Sequence, residues 1–346
     1  MRSGVFHQDY RSEEQLWDST TKKVWFAGLL VALLFMPLLM SDYLVAMACI
    51  VGIHLVATLG LNITTGNAGQ ISLSHAAFMG LGCYSVAWLG KFGVPFFIAL
   101  PLAGGVAALA GILVGIPSLR IKGLYLAIAT LAAHFILSFI YREWISVTGG
   151  VGGIDIPRPG VFDWKIRGDR QVYYLILACV LILGLAAANL GRTYVGRAFI
   201  AVRDRDISAE ILGVSLFRYK LLAFSLGSFY AGVAGALMGY FYGAVTPAFF
   251  EFNLAVFYLA AIILGGLGSV LGSVLGAVFM TFVPELLRLL VNSVTAYLPA
   301  ASGMLLPLGQ VVFGLLIIIF LVFEPHGLAE IWSRIRRTYE IWPFKT

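Results

Sequence analysis

Apolar runs of membrane-crossing length follow one another along this chain, and no other feature restricts its fold so severely. In order they are Val24–Met40, Tyr43–Leu61, Ile71–Leu89, Val94–Ile116, Gly123–Tyr141, Val172–Leu190, Leu221–Ala244, Leu254–Gly265, Val270–Leu290 and Leu305–Phe323. At 1.5 Å per residue, about 20 apolar residues cross a hydrocarbon core roughly 30 Å thick. The eighth run is too short for a straight crossing unless it is broken or extends back through Phe249, so the count is nine or ten. Lipid offers no hydrogen bonds, so backbone polar groups must be satisfied within the chain, and runs of this kind form helices. The expected fold is all-α: a polytopic membrane bundle of about ten transmembrane helices over residues 24–323.

Composition leaves no space for a soluble domain. Hydrophobic residues make up 60% of the 346 and charged residues 12%, against about 45–50% and about 25% in soluble domains. Residues 1–23 mix Asp9, Glu13, Glu14 and Asp18 with basic residues and precede no small-residue cleavage site. They are expected to form a cytoplasmic tail, as are residues 324–346. With the N-terminus inside, 16 of the 23 basic residues fall on the cytoplasmic side, among them Arg120, Lys122 and six in the 191–220 loop. The 142–171 loop then lies outside, its bases balanced by Glu143, Asp155, Asp163 and Asp169. Cys49, Cys83 and Cys179 sit in apolar runs and read as packing residues without disulfide or metal spacing. No basic stripe interleaved with aromatics points to nucleic acid.

One stretch departs from the apolar pattern. Asn62–Tyr84 carries Thr64, Thr65, Asn67, Gln70, Ser72, Ser74 and His75 beside Asn62, and is interrupted by Gly66 and Gly69. Irregular polar backbone survives in a membrane only when buried in protein or lining a wet cavity. It is therefore expected to be a broken or re-entrant helix near mid-membrane depth, on a transport pathway. Gly265, Gly268, Ser269 and Ser273 echo the spacing of Gly66, Gly69, Gln70 and Ser74, which places the second segment on the same pathway. His75, one turn after Ile71 and Ser72, either contacts a solute or pins the broken helix to its neighbour.

Small residues recur at spacing four in Ala231/Gly235/Gly239/Gly243, Gly268/Gly272/Gly276 and Gly111/Gly115. Such faces let membrane helices approach closely, and ordinary helix packing is the preferred reading. In the 191–220 loop, Ala201–Val214 sets Val202, Ile207, Ile211 and Leu212 against Arg203, Asp204, Arg205, Asp206 and Glu210. Asp206 or Ser208 is expected to cap a short amphipathic helix ended by Gly213; its apolar side either lies against the bundle or the lipid headgroups or, the preferred reading, is presented to a cytosolic partner. The TGGVGGI turn at Thr148–Ile154 is either flexible or an anion-binding nest of amides.

No G-x-x-x-x-G-K-[ST] loop is present, so any ATP is hydrolysed elsewhere. An intramembrane enzyme requires His54, His75 and His134 to converge. A stand-alone secondary transporter or channel requires an ionisable residue within a span, whereas Asp42, Glu251 and Glu285 fall near span ends.

Five segments occur in an order that resembles a known family: GNAGQISLSHAAFMGLGCY, LRIKGLYLAIATLA, the TGG turn, GRAFIAVRDRDISAEILGV and GGLGSVLGSVLGA. Together, across about Tyr43–Phe323, they are similar to the LivM-type permeases of ABC importers for branched-chain amino acids. The resemblance implies a subunit in the bacterial inner membrane, paired with a LivH-type permease, two cytosolic ATPases and a periplasmic substrate-binding protein. It implies that this chain binds no cofactor, ATP and Mg being used by the ATPases. It further implies a coupling element at Arg203–Gly213, including Asp204 and Arg205, with Ala209, Glu210 and Gly213 matching. Related permeases handle urea, short amides or aromatic acids, so these substrates stand as the alternative.

Overall fold

The computed structural model describes residues 20–118, 123–161, 164–165, 168–297, 302–324 and 327–341. The expected N-terminal tail before residue 20, Arg120, Lys122, Asp163 and the end of the C-terminal tail lie outside the described residues. The described chain is almost wholly helical: α1 Thr20–Leu39, α2 Asp42–Leu61, α3 His75–Lys91, α4 Phe96–Ser118 and α5 Leu124–Glu143. After α6 Ile145–Thr148 come α7 Asp169–Leu190, α8 Tyr194–Asp204, α9 Asp206–Ile211 and α10 Leu216–Tyr242. The last helices are α11 Phe252–Gly265, α12 Val270–Tyr297, α13 Ser302–Phe323 and α14 Leu328–Ile341.

Seven helices among the described residues are long and apolar enough to cross a membrane. They correspond to α2 with its following turn, α4, α5, α7, α10, α12 and α11 counted from Pro247. The short eighth run is thus lengthened backwards by a 3₁₀ turn at Pro247–Phe250. The three remaining expected spans fall on α1, α13 and the 17-residue α3.

The chain alternates direction, so the bundle has two distinct ends. One carries α8, α9 and the α2–α3 and α11–α12 connections. The other carries the 142–171 segment and residues 244–250, joined where Ile154–Asp155 pairs antiparallel with Ala244–Val245. At this end Arg170 pairs with Asp42, and Arg288 with Glu285, which also accepts from the Tyr43 hydroxyl. The TGGVGGI turn is packed rather than loose. The Thr148 hydroxyl donates to Tyr141 O at 2.8 Å and accepts from Gly150 N, while Gly149 N donates to Ile145 O and Gly153 N to Gly150 O. The Gly149, Gly150 and Gly153 amides are thus engaged within the chain.

α10 is the axis of the bundle, packed against α2, α3 and α4. Ala231, Ala234, Ala236 and Leu237 are fully buried along it. Lipid supplies no hydrophobic force between helices, so close backbone approach and dispersion must hold them. The glycines provide that approach: a methyl group on Gly235 would lie 1.9 Å from Met79 O, and one on Gly82 1.9 Å from Gly232 O. Gly111, Gly272 and Gly276 pack comparably, against Ser228, Gly265 and Ala261. Gly243 and Gly268 instead follow helix ends and take positive φ.

Gly82→Val is expected to destabilise the protein by about 1–3 kcal/mol or more, because backbone must move to admit the side chain. Gly184→Val, with open space around the added carbon, leaves stability unchanged. Thermal unfolding in detergent micelles compares the two, and equal melting would remove the close-approach argument.

Candidate functional site

The polar stretch after α2 forms a connection between two antiparallel helices. α2 runs on through a π-helical turn at Asn62–Asn67, Gly69 takes φ +68°, and residues 68–74 are irregular until α3 begins at His75. It packs beside the first turns of α10. Gln70 Nε2 donates to Lys220 O at 3.0 Å, one turn into α10, so the connection closes at the end of the bundle that carries α8 and α9. Ser72 is not on the helix of His75 and precedes its start.

Nearly every polar group here has a partner within the chain. Thr64 Oγ1 contacts Gly60 O and Ala223 O, both at 3.3 Å, and Thr65 Oγ1 donates to Gln70 O at 3.0 Å. Ser72 and Ser74 pair at 3.1 Å, and Leu73 N donates to Thr130 Oγ1 on α5 at 3.0 Å. His75 Nε2 donates to Ala57 O at 2.8 Å. Of the two readings of His75, this geometry matches the one that pins the connection. Thr64, Thr65, Gly66, Gln70, Ser72, Ser74 and His75 are buried, whereas Asn67 is half-buried and Gly69 exposed.

The echoing segment lies directly beside this connection. Gly268 takes φ +78°, matching Gly69, and both precede a helix start. Asn62 clasps the two segments: its Oδ1 accepts from Gly268 N at 2.8 Å and its Nδ2 donates to Ser269 O at 3.0 Å. A methyl group on Gly66 would sit 2.5 Å from Gly268 N. Gly265 is buried, Gly268 exposed and Ser269 half-buried. The sequence signal for Asn62 was its place at the head of the polar stretch, but nothing there announced Gly268 as its partner.

Arg203 ties the same junction to α8. Its Nη1 donates to Gly66 O at 2.7 Å and its Nε to Asp204 at 2.9 Å. A methyl group on Gly69 would lie 2.8 Å from Arg203 Cγ, and one on Gly268 3.0 Å from Arg203 Nη1. α8 is anchored by buried Ala198, Phe199 and Val202, with Thr193 as its N-cap. Ala201–Val214 thus holds the end of α8, Arg205 and the short α9 expected between Asp206 and Gly213. α9 begins at Asp206, whose Oδ1 accepts from Ile207 N. Gly213 ends it at φ +89°, with Val214 N closing onto Ala209 O at 2.9 Å. Ala209 is buried, while Asp204, Arg205, Glu210 and Gly213 are exposed. Ile207, Ile211 and Leu212 are also exposed, to 68%, 81% and 83%.

The three histidines do not converge. His54 Nδ1 lies 2.8 Å from the Tyr258 hydroxyl, and His75 meets the same ring edge-on at 5.8 Å. His134 packs apart from them, against Phe135 and Phe252. No site for an intramembrane reaction is assembled from them.

Residues 43–321 match the family model described as branched-chain amino acid transport system / permease component. The chain is similar to the high-affinity branched-chain amino acid transport system permease protein LivM of Escherichia coli K12. They are 32% identical over 336 residues, covering 90% of this chain and 76% of that protein. The corresponding LivM of Salmonella typhimurium is 33% identical over the same shares. The probable permease LivH of Methanocaldococcus jannaschii is 25% identical over 295 residues, covering 81% of this chain and 89% of that protein. No solved structure matches. With its apolar helices, polar junction and family match over most of its length, the chain belongs to the family of branched-chain amino acid transport permeases.

Proposed function

We propose that this multi-pass membrane permease forms the translocation pathway of an ATP-driven importer for branched-chain, hydrophobic amino acids together with a LivH-type permease. In this reading it sits in the bacterial inner membrane, with ten spans and both termini cytoplasmic. Two cytosolic ATPases bind ATP and Mg, and a periplasmic protein delivers the solute. The observation that carries the reading is the exposed apolar tip of α9, Ile207, Ile211 and Leu212, placed one helix away from the Arg203–Gly66 bond. Three large apolar side chains at the tip of a polar loop lose unfavourable contact with water when a partner covers them. The surface of the two connections, Asn67, Gly69, Gly268 and Ser269, faces the pathway, and the buried groups behind it, from Thr64 to His75, hold its shape.

ATP-driven closure of the ATPases moves α9, and α8 transmits the movement through Arg203 to the junction. Arg203→Ala removes a charge-assisted bond of about 1.5–3 kcal/mol, roughly tenfold or more in an equilibrium. The variant is expected to retain bound ATPases and ATP hydrolysis while uptake into vesicles falls about tenfold. Normal uptake would remove Arg203 from the coupling route.

Ile211→Asp with Leu212→Asp tests the docking surface separately. The tagged wild-type chain purified from its native membrane is expected to bring a second permease and two ATPases, and the double variant to lose the ATPases alone. A wild-type chain that purifies by itself and transports without ATP would replace the importer by a secondary carrier.

A further inference from the structure

We infer that the crevice between α5 and the start of α11 is a receiving site for a zwitterionic α-amino acid with an apolar side chain. The crevice encloses about 450 Å³, within the roughly 300–1,000 Å³ typical of small-ligand sites. It opens at the end of the bundle opposite α8 and α9, where Arg142 closes α5 and Glu251 precedes α11. Arg142 Nη2 and Glu251 Oε1 stand 3.7 Å apart, each side chain about half exposed, 53% and 50%. A pair this loose and wet contributes little by itself, so an entering solute displaces it easily. The guanidinium presents donors to a carboxylate, and the carboxylate accepts from an ammonium group. The two ends of an amino acid thus match the two charges.

The deeper wall supports the same ligand. Thr130, His134, Ser138 and Arg142 recur every four residues and so share one face of α5. His134 is 1% exposed, and its Nδ1 has no hydrogen-bond partner; the buried Ser138 hydroxyl also has none. A buried polar atom without a partner is costly, and both atoms belong to residues that line this crevice. Phe135, Phe139 and Phe252 line it beside Asn253, and the three rings suit an aliphatic side chain. Charges and unpaired polar groups do not face hydrocarbon, so the crevice opens on water or the second permease. The stripe ends at Thr130, which accepts from Leu73 N in the α2–α3 connection. The site therefore lies at one end of a polar track whose other end is the junction clasped by Asn62 and Arg203.

This inference rests on the amino-acid importer reading and is tested with native membrane vesicles holding the whole importer. A leucine analogue with a photoreactive diazirine side chain is the probe. Expected is labelling within residues 134–142 and 250–253, competed by leucine but not by isopentylamine or 4-methylpentanoate, each of which lacks one charge. Glu251→Gln and Arg142→Gln reduce that labelling roughly tenfold, and Ser138→Ala reduces it less. Arg170→Gln, which breaks the neighbouring ion pair with Asp42, leaves it unchanged. Labelling elsewhere in a wild-type importer that takes up leucine overturns the site and leaves the importer reading standing. Equal competition by the amine or the acid overturns the zwitterion assignment. Wild-type vesicles that take up no amino acid overturn the importer reading itself.

Discussion

In a membrane the chain must satisfy its own backbone wherever it leaves a helix, and this structure concentrates that requirement at one junction. The α2–α3 and α11–α12 connections both break helical hydrogen bonding at the same end of the bundle. Asn62 answers for two of the exposed groups at once, accepting from Gly268 N and donating to Ser269 O. Arg203 answers for a third, the Gly66 carbonyl. Each buried group left without a partner costs about 1–3 kcal/mol, so the junction holds two helix pairs and α8 in one arrangement. Glycine at positions 66, 69 and 268 follows from it, because the two backbones and Arg203 approach too closely for a side chain.

Much of this was legible in the sequence, for reasons that differ by element. The long apolar runs located the helices because the hydrocarbon thickness fixes their length. The small-residue faces of α10 and α12 announced close packing because lipid leaves little else to hold helices together. Gly213 ended α9 as its place after an amphipathic stretch suggested. Polar residues within apolar runs told less. Thr64, Gln70 and His75 stated that each needed a partner, but not that the partners would be Ala223, Lys220 and Ala57 carbonyls rather than a solute. The packing of the connection was also hidden, since it depends on where α10 stands beside it.

The two exceptional helices contrast in how they use polarity. α10 is buried over most of its length from Ala223 to Tyr240, and Ser228 bonds the carbonyl of its own preceding turn. α5 is peripheral, with Phe135, Ile136 and Phe139 exposed to 57%, 61% and 64%, yet it carries the stripe from Thr130 to Arg142. A peripheral helix with an internal polar stripe wants a neighbour on that side, and α11 covers only its outer part. Thr130, His134, Ser138 and Arg142 share this face by their four-residue spacing. Its meaning depended on Glu251 arriving opposite, more than 100 residues later, by way of the β-paired segment at 244–245.

The junction and the crevice are mechanically related through the helices they share. α5 is tied to the first connection by Thr130, and α11 leads directly into the second at Gly266–Ser269. These are the two walls of the crevice. In the proposed importer, a shift of α8 that pulls on Gly66 through Arg203 would reach both connections together, because Asn62 and the contact of Gly66 with Gly268 hold them to one another. Were the connections independent, α8 would move one wall and leave the other. Clasped, they form one unit, which Thr64 and Gln70 also bond to the Ala223 and Lys220 carbonyls of α10. In an importer, the opening between α5 and α11 would then follow the position of α8, and a small movement at the cytosolic tip would change the grip on a solute at the opposite end of the bundle.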